Sequence, residues 1–432
     1  MHRFARKRSL PQLLTGVSVL AVTALAVAAC GNGGSGSSNS GTGANAQQTI
    51  VFATQGLGTE GDATKTAIAG FEKAHANIHV QLLTLSPTSN NAYQQLQQRF
   101  VAKSSTPDVI TSDVIWPATF AQAGWLAPLD SYNPDLPRFF PGQVKSSQLG
   151  GKTYGIPWFI NAEGVFYRTD LVPKPPTTPQ ELVAMAQAAM KKDPTLKEGL
   201  AFEGAKYEGA VTAFINFLGG FGGTLDPANL DTPKNAQALQ FMRDTIYSYR
   251  IAPKAVTGWQ EPDVQDAWLS GQTAFAMNWP YLYQLSEQSG SAVKGKTGWI
   301  PFPSATGTQQ AALGGDVLSI NAKSEHKAAA WELIQYLTSP DVQIQRAVSA
   351  GDPPAVQAAY TNELYAKAPY YKQEKQVFQY ATPRPVNPAY PQISDQLQTV
   401  LSSVLTGQQS AQQALASAAP NVKNIAAGKP GA

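Results

Sequence analysis

Thr49-Ile50-Val51-Phe52-Ala53, Ile78-His79-Val80-Gln81-Leu82-Leu83 and Pro107-Asp108-Val109-Ile110 are the three runs that decide the fold. The first is a β-branched, apolar run of strand length. The second alternates like a half-buried strand, and the third opens another buried strand. A turn, Gln55-Gly56-Leu57-Gly58, and a segment with Ile68 and Phe71 on one helical face separate the first two. Tyr93, Leu96, Phe100 and Val101 mark the buried face of a second helix. Strand, helix, strand, helix, strand predicts the unit of an open parallel sheet, with its ligand crevice beyond the carboxyl ends of the strands.

The same style continues downstream. Thr178-Pro179-Gln180-Glu181 predicts a helix start with Thr178 as N-cap, Pro179 in the first turn and Glu181 closing a capping box; Leu182, Ala186 and Ala189 lie on the buried face. Thr273 to Asn278 reads as a strand delivering Trp279-Pro280-Tyr281 at its carboxyl end. Val317 to Asn321 reads as a further strand, followed by a helix capped by Ser324 with Trp331, Ile334 and Leu337 as its buried stripe. At 432 residues the α/β chain is long for one core and predicts two lobes.

The chain begins differently. Arg3, Arg6, Lys7 and Arg8 precede an uncharged stretch from Leu10 to Ala29, the pattern of a secretory signal peptide. The apolar part is short and small-residue-rich for a spanning helix. Gly31 to Gln48 is almost wholly Gly, Ser, Asn, Thr and Ala, the composition of a flexible tether. The formal charge of +3 comes from the leader, which leaves 28 basic against 29 acidic side chains beyond it. So even a balance argues against nucleic acid, which needs a concentrated basic footprint. Cys30 is the only cysteine, which excludes an intramolecular disulfide and any multi-cysteine metal site. His75 and His79 have i,i+4 spacing but no third ligand in view, and no metal or cofactor is expected. Neither Gly56-Leu57-Gly58 nor Gly219-Gly220-Phe221-Gly222-Gly223 continues into a P-loop, and no G-x-S-x-G elbow occurs.

Two resemblances extend this reading. Val27-Ala28-Ala29-Cys30 resembles the bacterial lipobox, which implies cleavage before Cys30 and diacylglycerol on its thiol. The rest, from about Ile50 onward, resembles the bacterial extracellular solute-binding proteins for sugars, most closely the trehalose/maltose-binding type. The stretches that carry the likeness are Phe71-Glu72-Lys73, Ser112-Asp113-Val114-Ile115-Trp116, Ala123-Gly124-Trp125-Leu126 with Pro128-Leu129-Asp130, and Tyr154-Gly155-Ile156-Pro157. Further on come Phe166-Tyr167-Arg168-Thr169-Asp170-Leu171, Tyr207-Glu208-Gly209, Asn278-Trp279-Pro280-Tyr281, Leu313-Gly314-Gly315 and Pro383-Arg384-Pro385. The resemblance implies a type II, two-lobed periplasmic-binding-protein-like fold with crossovers near Pro157–Asn161, near Leu313–Asp316 and around Tyr370. It divides the chain into a signal peptide (1–29), a tether (30–48), one lobe from 49–160 and 314–370, and another from 161–313 and 371–432. It also implies capture of a saccharide by lobe closure, delivery to permease subunits with their ATPase, a monomer, and a place on the outer face of the cell membrane, held there by lipid at Cys30.

A sugar offers hydroxyls and two weakly apolar ring faces, so its site needs convergent hydrogen-bonding groups and aromatic planes. Asp113 follows a strand that ends at the crevice, where its carboxylate would accept from hydroxyls or cap a helix. Trp279 and Tyr281 follow another strand, and alternation across Pro280 points both to one side. Arg384 stands between two prolines that hold the segment extended, so that its guanidinium is presented by a stiff loop. By resemblance Asp113, Trp279, Tyr281, Arg384 and Glu60 match sugar-contacting positions. Asn161 stands where some relatives of that type have aspartate, and Asp316 stands after Gly314 and Gly315 where close ones have tryptophan, so the preferred sugar should differ. Gly315, Trp116 and Tyr207 complete the candidate set.

Other classes remain open at this point. A glycoside hydrolase would need two carboxyls about 5–5.5 Å or about 6.5–9.5 Å apart, which a sequence cannot display. A polyamine site would need several cleft carboxylates, and a phosphate site more donors than Arg384.

Overall fold

The computed structural model describes residues 47–56, 59–307, 310–378 and 380–429. The leader, Cys30 and the tether as far as residue 46 lie outside these residues, so the signal-peptide and lipobox readings are not addressed by it; Gln48, expected as the end of the tether, instead opens the first strand by pairing alongside Ile78.

The amino-terminal run forms as its pattern predicts. β1 (Gln48–Thr54), α1 (Glu60–Ala74), β2 (Ile78–Thr84), α2 (Ser89–Val101) and β3 (Val109–Asp113) alternate, with β1 parallel to both β2 and β3. Ile68 and Phe71 bury one face of α1, and Leu96 and Phe100 one face of α2. Val101 does not join them. It is 65% exposed, because it lies one step around the helix from Phe100 in the last turn. His75 and His79 part company at the end of α1, where His75 contacts Glu332 (3.0 Å) and His79 contacts Glu72 (2.8 Å).

After α3 (Pro117–Gln122), α4 (Pro141–Ser146) and a small hairpin of β4 (Gln148–Leu149) and β5 (Lys152–Thr153), the chain enters β6 (Ile156–Ala162) and β7 (Gly164–Arg168). These two strands belong to different sheets, and Glu163 is the single residue between them. The second sheet is completed by β8 (Glu198–Ala201), β9 (Thr273–Asn278) and β10 (Thr297–Ile300), in the order β10-β7-β9-β8. Its helices are α5 (Pro179–Lys192), α6 (Glu208–Phe221), α7 (Pro233–Tyr247), α8 (Glu261–Leu269) and α9 (Tyr281–Ser286). Thr178 caps α5 by accepting from the Glu181 N–H (3.1 Å). Glu181 reaches one residue further back than a capping box requires, accepting from the Thr177 N–H (2.8 Å) rather than from that of Thr178.

β11 (Ala311–Ile320) returns to the first sheet, antiparallel to β3 on one edge and to β6 on the other. It starts six residues before the predicted Val317, since Ala311 to Asp316 lacks the unbroken apolar run that marks a buried strand. α10 (Lys327–Leu337) follows, then α11 (Pro340–Ala350), α12 (Asn362–Lys367), α13 (Tyr371–Val377), a short β12 (Ala381–Thr382) paired with β11, α14 (Tyr390–Leu405) and α15 (Ala411–Ala426). His326, not Ser324, is the residue before α10. Ser324 instead accepts from the His326 N–H (3.1 Å) and donates to Asp108 (2.6 Å), bracing the turn against β3. The buried stripe of α10 is Ala330, Leu333, Ile334 and Leu337; Trp331 is half-buried and stacks on Tyr132.

Each sheet is covered on both faces. α1, α10 and α11 pack on one face of the first sheet, and α2 and α3 on the other. α5, α6, α7, α14 and α15 cover one face of the second. Trp268, Tyr281, Leu364 and Tyr371, from α8, α9, α12 and α13, cover its opposite face. Burial on this scale, at about 25 cal/mol per Å² of apolar surface, makes each lobe a core of its own. Among the described residues no helix is long and apolar enough to cross a membrane.

Candidate ligand-binding cleft

The strand ends of the two sheets face one cavity with about 810 Å³ of atom-free space, part of it open to solvent. Asp113 enters from the end of β3, Asn161 from β6, Gly315 and Asp316 from β11, and Glu60 from the start of α1. From the other sheet come Trp279 beyond β9, Tyr281 at the start of α9 and Tyr207 just before α6, while Arg384 comes from the segment between β12 and α14. Nine of the ten candidates from the sequence therefore share the cavity. Trp116 does not. It is 2% exposed, packs against Tyr93 and Phe120, and lines a neighbouring cavity between α2 and α14.

Local backbone chemistry shapes the β11 wall. Gly315 has φ +92°, and a Cβ there would drive into the Phe159 carbonyl oxygen of β6. A bulge follows between Asp316 and Val317, which re-aims the preceding side chains. At Gly314 a Cβ would stand 2.6 Å from the Trp279 ring, so the glycine is what lets the indole approach the strand. Trp279 remains half-buried, with part of its ring open. Tyr281 departs from the alternation expected across Pro280. Pro280 and Tyr281 begin a helix, which turns the tyrosine into the core at 1% exposure with its phenol on Glu261.

Arg384, expected on a stiff presenting loop, is 4% exposed and engaged through both Nη atoms, while its buried Nε has no partner. Its Nη2 donates to Asp113 Oδ1 (2.9 Å) and its Nη1 to Glu208 Oε1 (2.8 Å). Tyr390 also donates to Glu208 Oε1 (2.7 Å), and Ser394 donates to the other oxygen. Asp113 further accepts from Ser89 (3.2 Å). Burial opposes the arginine's charge, but the two carboxylates outweigh it and hold its pKa above the usual guanidinium range. This cluster joins β3 of one sheet to α6 and α14 of the other.

The rest of the cavity is dominated by acids. Asp316 sits directly opposite Asp113 across the β3/β11 ladder, an arrangement of like charges that costs stability. Burial and then Asp113 push the Asp316 carboxyl well above the usual range. Glu60 is raised likewise by burial and by Asp352, against the opposing pull of Arg346. Arg346 pairs with Asp352 (2.7 Å) and lies over Trp158 behind the cleft.

Three acids here were not singled out from the sequence. Glu203 lies two residues beyond the end of β8 and Glu261 opens α8, while Glu208 was quoted only as part of a motif. The strand-end position of Glu203 was a usable signal, since β8 points into the cleft. Glu261 reads as an ordinary first-turn helix acid. Tyr207 links the two elements by accepting from the Glu261 N–H (2.8 Å).

Two covered sheets whose strand ends face a shared cavity, with the chain passing from one to the other at Glu163, define a substrate-binding protein of the two-lobed type. The chain belongs to the bacterial extracellular solute-binding protein family, whose pattern matches residues 55–344. A probable ABC transporter-binding protein of Deinococcus radiodurans is 34% identical over 378 residues, covering 83% of this chain and 89% of that one. A maltotriose-binding protein of Pyrococcus abyssi is 26% identical over 318 residues, 69% and 66% of the two chains. Among solved structures, maltose-bound MalE3 of T. maritima superposes with a TM-score of 0.83 at 34% identity, covering 88% of this chain and all of that one. A solute-binding protein of Thermotoga lettingae bound with α-D-tagatose gives 0.80 at 26% identity, with 88% and 100% covered. The chain is thus an extracytoplasmic solute-binding component of an ABC transporter, and these relatives are binding proteins rather than enzymes.

Proposed function

We propose that the protein captures a small saccharide, with an α-linked disaccharide such as maltose or trehalose as the leading class, and hands it unchanged to a permease. The observation that carries this reading is Trp279: a half-open indole fixed against Gly314, facing a cavity edged with acceptor groups. A sugar ring stacks on the former while its hydroxyls donate to the latter. The maltose in the Thermotoga relative and the maltotriose of the Pyrococcus one are consistent with that chemistry.

Asp113, Asn161, Asp316 and the open face of Trp279 are assigned to the sugar, with Gly315 shaping the wall they share. Arg384, Glu60, Tyr207 and Tyr281 are already engaged by protein groups and act mainly by holding neighbours in place. Lobe closure follows if the ligand bridges both walls only in the closed form. Titration of the full-length protein with maltose, trehalose and maltotriose tests the assignment. Saturable binding that Trp279→Ala weakens by more than tenfold supports it; unchanged affinity in the variant removes Trp279 from the site.

Attachment through a diacylglyceryl Cys30 belongs to the same proposal. It rests on Val27-Ala28-Ala29-Cys30 and the uncharged tether that follows, with acyl methylenes contributing about 0.8 kcal/mol each on insertion. Cys30→Ala is expected to move the protein from the membrane to the soluble fraction and to abolish the added lipid mass.

A further inference from the structure

The cavity holds more carboxyl groups than its one cation can pair. Glu60, Asp113, Glu203, Glu208, Glu261 and Asp316 line it, against one lining cation, Arg384. That guanidinium is taken up by Asp113 and Glu208. On the opposite side, Glu60 shares the Arg346–Asp352 cluster. Glu203 and Glu261 are left over: among the described residues neither is in an ion pair.

A second observation points to a ligand. Glu203 is 1% exposed, yet its Oε1 has no hydrogen-bond partner. Asn161, 7% exposed on β6 of the other sheet, likewise has an unpartnered Oδ1. Both line the cavity, and both atoms are acceptors. Leaving a buried acceptor or charge unmatched is costly, so such atoms in a binding cavity mark where an incoming donor is demanded. The packing also keeps the carboxylate in place: a Cβ at Gly209 would collide with Glu203 Oε2 and the Tyr207 ring, so the glycine makes the room that Glu203 occupies.

Resting on the saccharide reading of the cleft, we infer that the ligand carries a protonated amine on a sugar ring, and that this ammonium sits between Glu203 and Glu261 with Asn161 as a further acceptor. A neutral hydroxyl could donate to one of these oxygens but would leave both carboxyls without a cationic partner. An ammonium brings three donors and the missing positive charge together. A compact metal ion is a poorer fit, because no three acidic, histidine or cysteine groups among the described residues are grouped closely enough to ligate one. Anionic sugars meet the opposite problem, since the one lining guanidinium is already engaged.

The test is calorimetric titration of the full-length protein at pH 7 with maltose, trehalose and a set of their monoamino-deoxy derivatives, each also N-acetylated. Spermidine serves as a cation without a ring. The expected result is at least one amino derivative binding tenfold or more tightly than its parent, with N-acetylation erasing the gain. In Glu203→Gln/Glu261→Gln the ratio of the two Kd values should collapse toward one. If every amino derivative binds no better than its parent, the inference falls while the saccharide reading stands. A ratio that survives the double substitution would overturn the assignment to Glu203 and Glu261. If spermidine binds and no saccharide does, both the inference and the saccharide reading fall.

Discussion

Two acidic corners of the same cleft behave in opposite ways. Around Arg384, two carboxylates share one guanidinium, and Tyr390 and Ser394 complete the shell of Glu208. Glu203 and Glu261 form no ion pair among the described residues, and one buried oxygen of each has no partner. Burial raises the carboxyls of this second corner above their ordinary range, Glu261 to about 7, and their mutual repulsion adds to the shift for Glu203. Glu163, at the β6/β7 junction beneath them, is pushed up to about 8 by burial, despite help from Thr212 and Asn216. The first corner pairs its charges within the protein and joins its two sheets. The second is complete only with something added, a proton or a ligand donor. A polar cluster in a binding cleft is thus read by what it lacks as much as by what it contains.

The largest effect should come from breaking the charge-paired corner. Arg384→Met leaves Asp113 and Glu208 buried without compensation, which should cost about 3–5 kcal/mol in urea denaturation and abolish binding with it. Next is the aromatic wall between the corners. Trp279→Ala should lower saccharide affinity by more than tenfold, about 1.4 kcal/mol or more, with little change in the unfolding midpoint of the free protein.

The incomplete corner predicts a pH effect of definite sign. The folded-state pKa values of Glu163, Glu203 and Glu261 lie above those of an unfolded chain, so the folded form binds more protons. Their contribution is fully present below the ordinary carboxyl range and is lost as pH rises through about 7 for Glu261 and about 8 for Glu163. The melting temperature of the ligand-free protein should therefore fall across that window, and Glu163→Gln should flatten the fall. The smallest expected effect is from Glu203→Gln, which removes one repelling charge. It should raise the ligand-free melting temperature at pH 8 by about 2 °C, equivalent to about 1 kcal/mol.

Much of this molecule was legible before its coordinates. The βαβαβ start followed from three apolar runs and two helical stripes, and β9 ends at Asn278 as its pattern predicts. Val101 and Trp331 were misplaced because periodicity assigns a face without saying how far packing extends along it. Ser324 was misread because a serine before an apolar stripe resembles a cap, whereas here it braces a turn through Asp108. In the cleft, strand-end logic found Asp113 and Trp279, since a parallel strand delivers whatever follows it to the crevice. It did not reveal that Arg384 was already occupied, because Glu208 and Asp113 are 176 and 271 residues away in the chain. Glu261 was invisible for the same reason: only the approach of α8 to Tyr207 and Tyr281 makes it part of the site.

The saccharide reading is tested most directly by a thermal-shift screen of the full-length protein against mono-, di- and trisaccharides, with spermidine and glycerol phosphate as controls. A ligand at about 100 times its Kd should stabilise the folded protein by about 2.7 kcal/mol. The account predicts a clear upward shift with a disaccharide or its amino derivative and none with glycerol phosphate. A shift with a control and a flat response to every saccharide would contradict it.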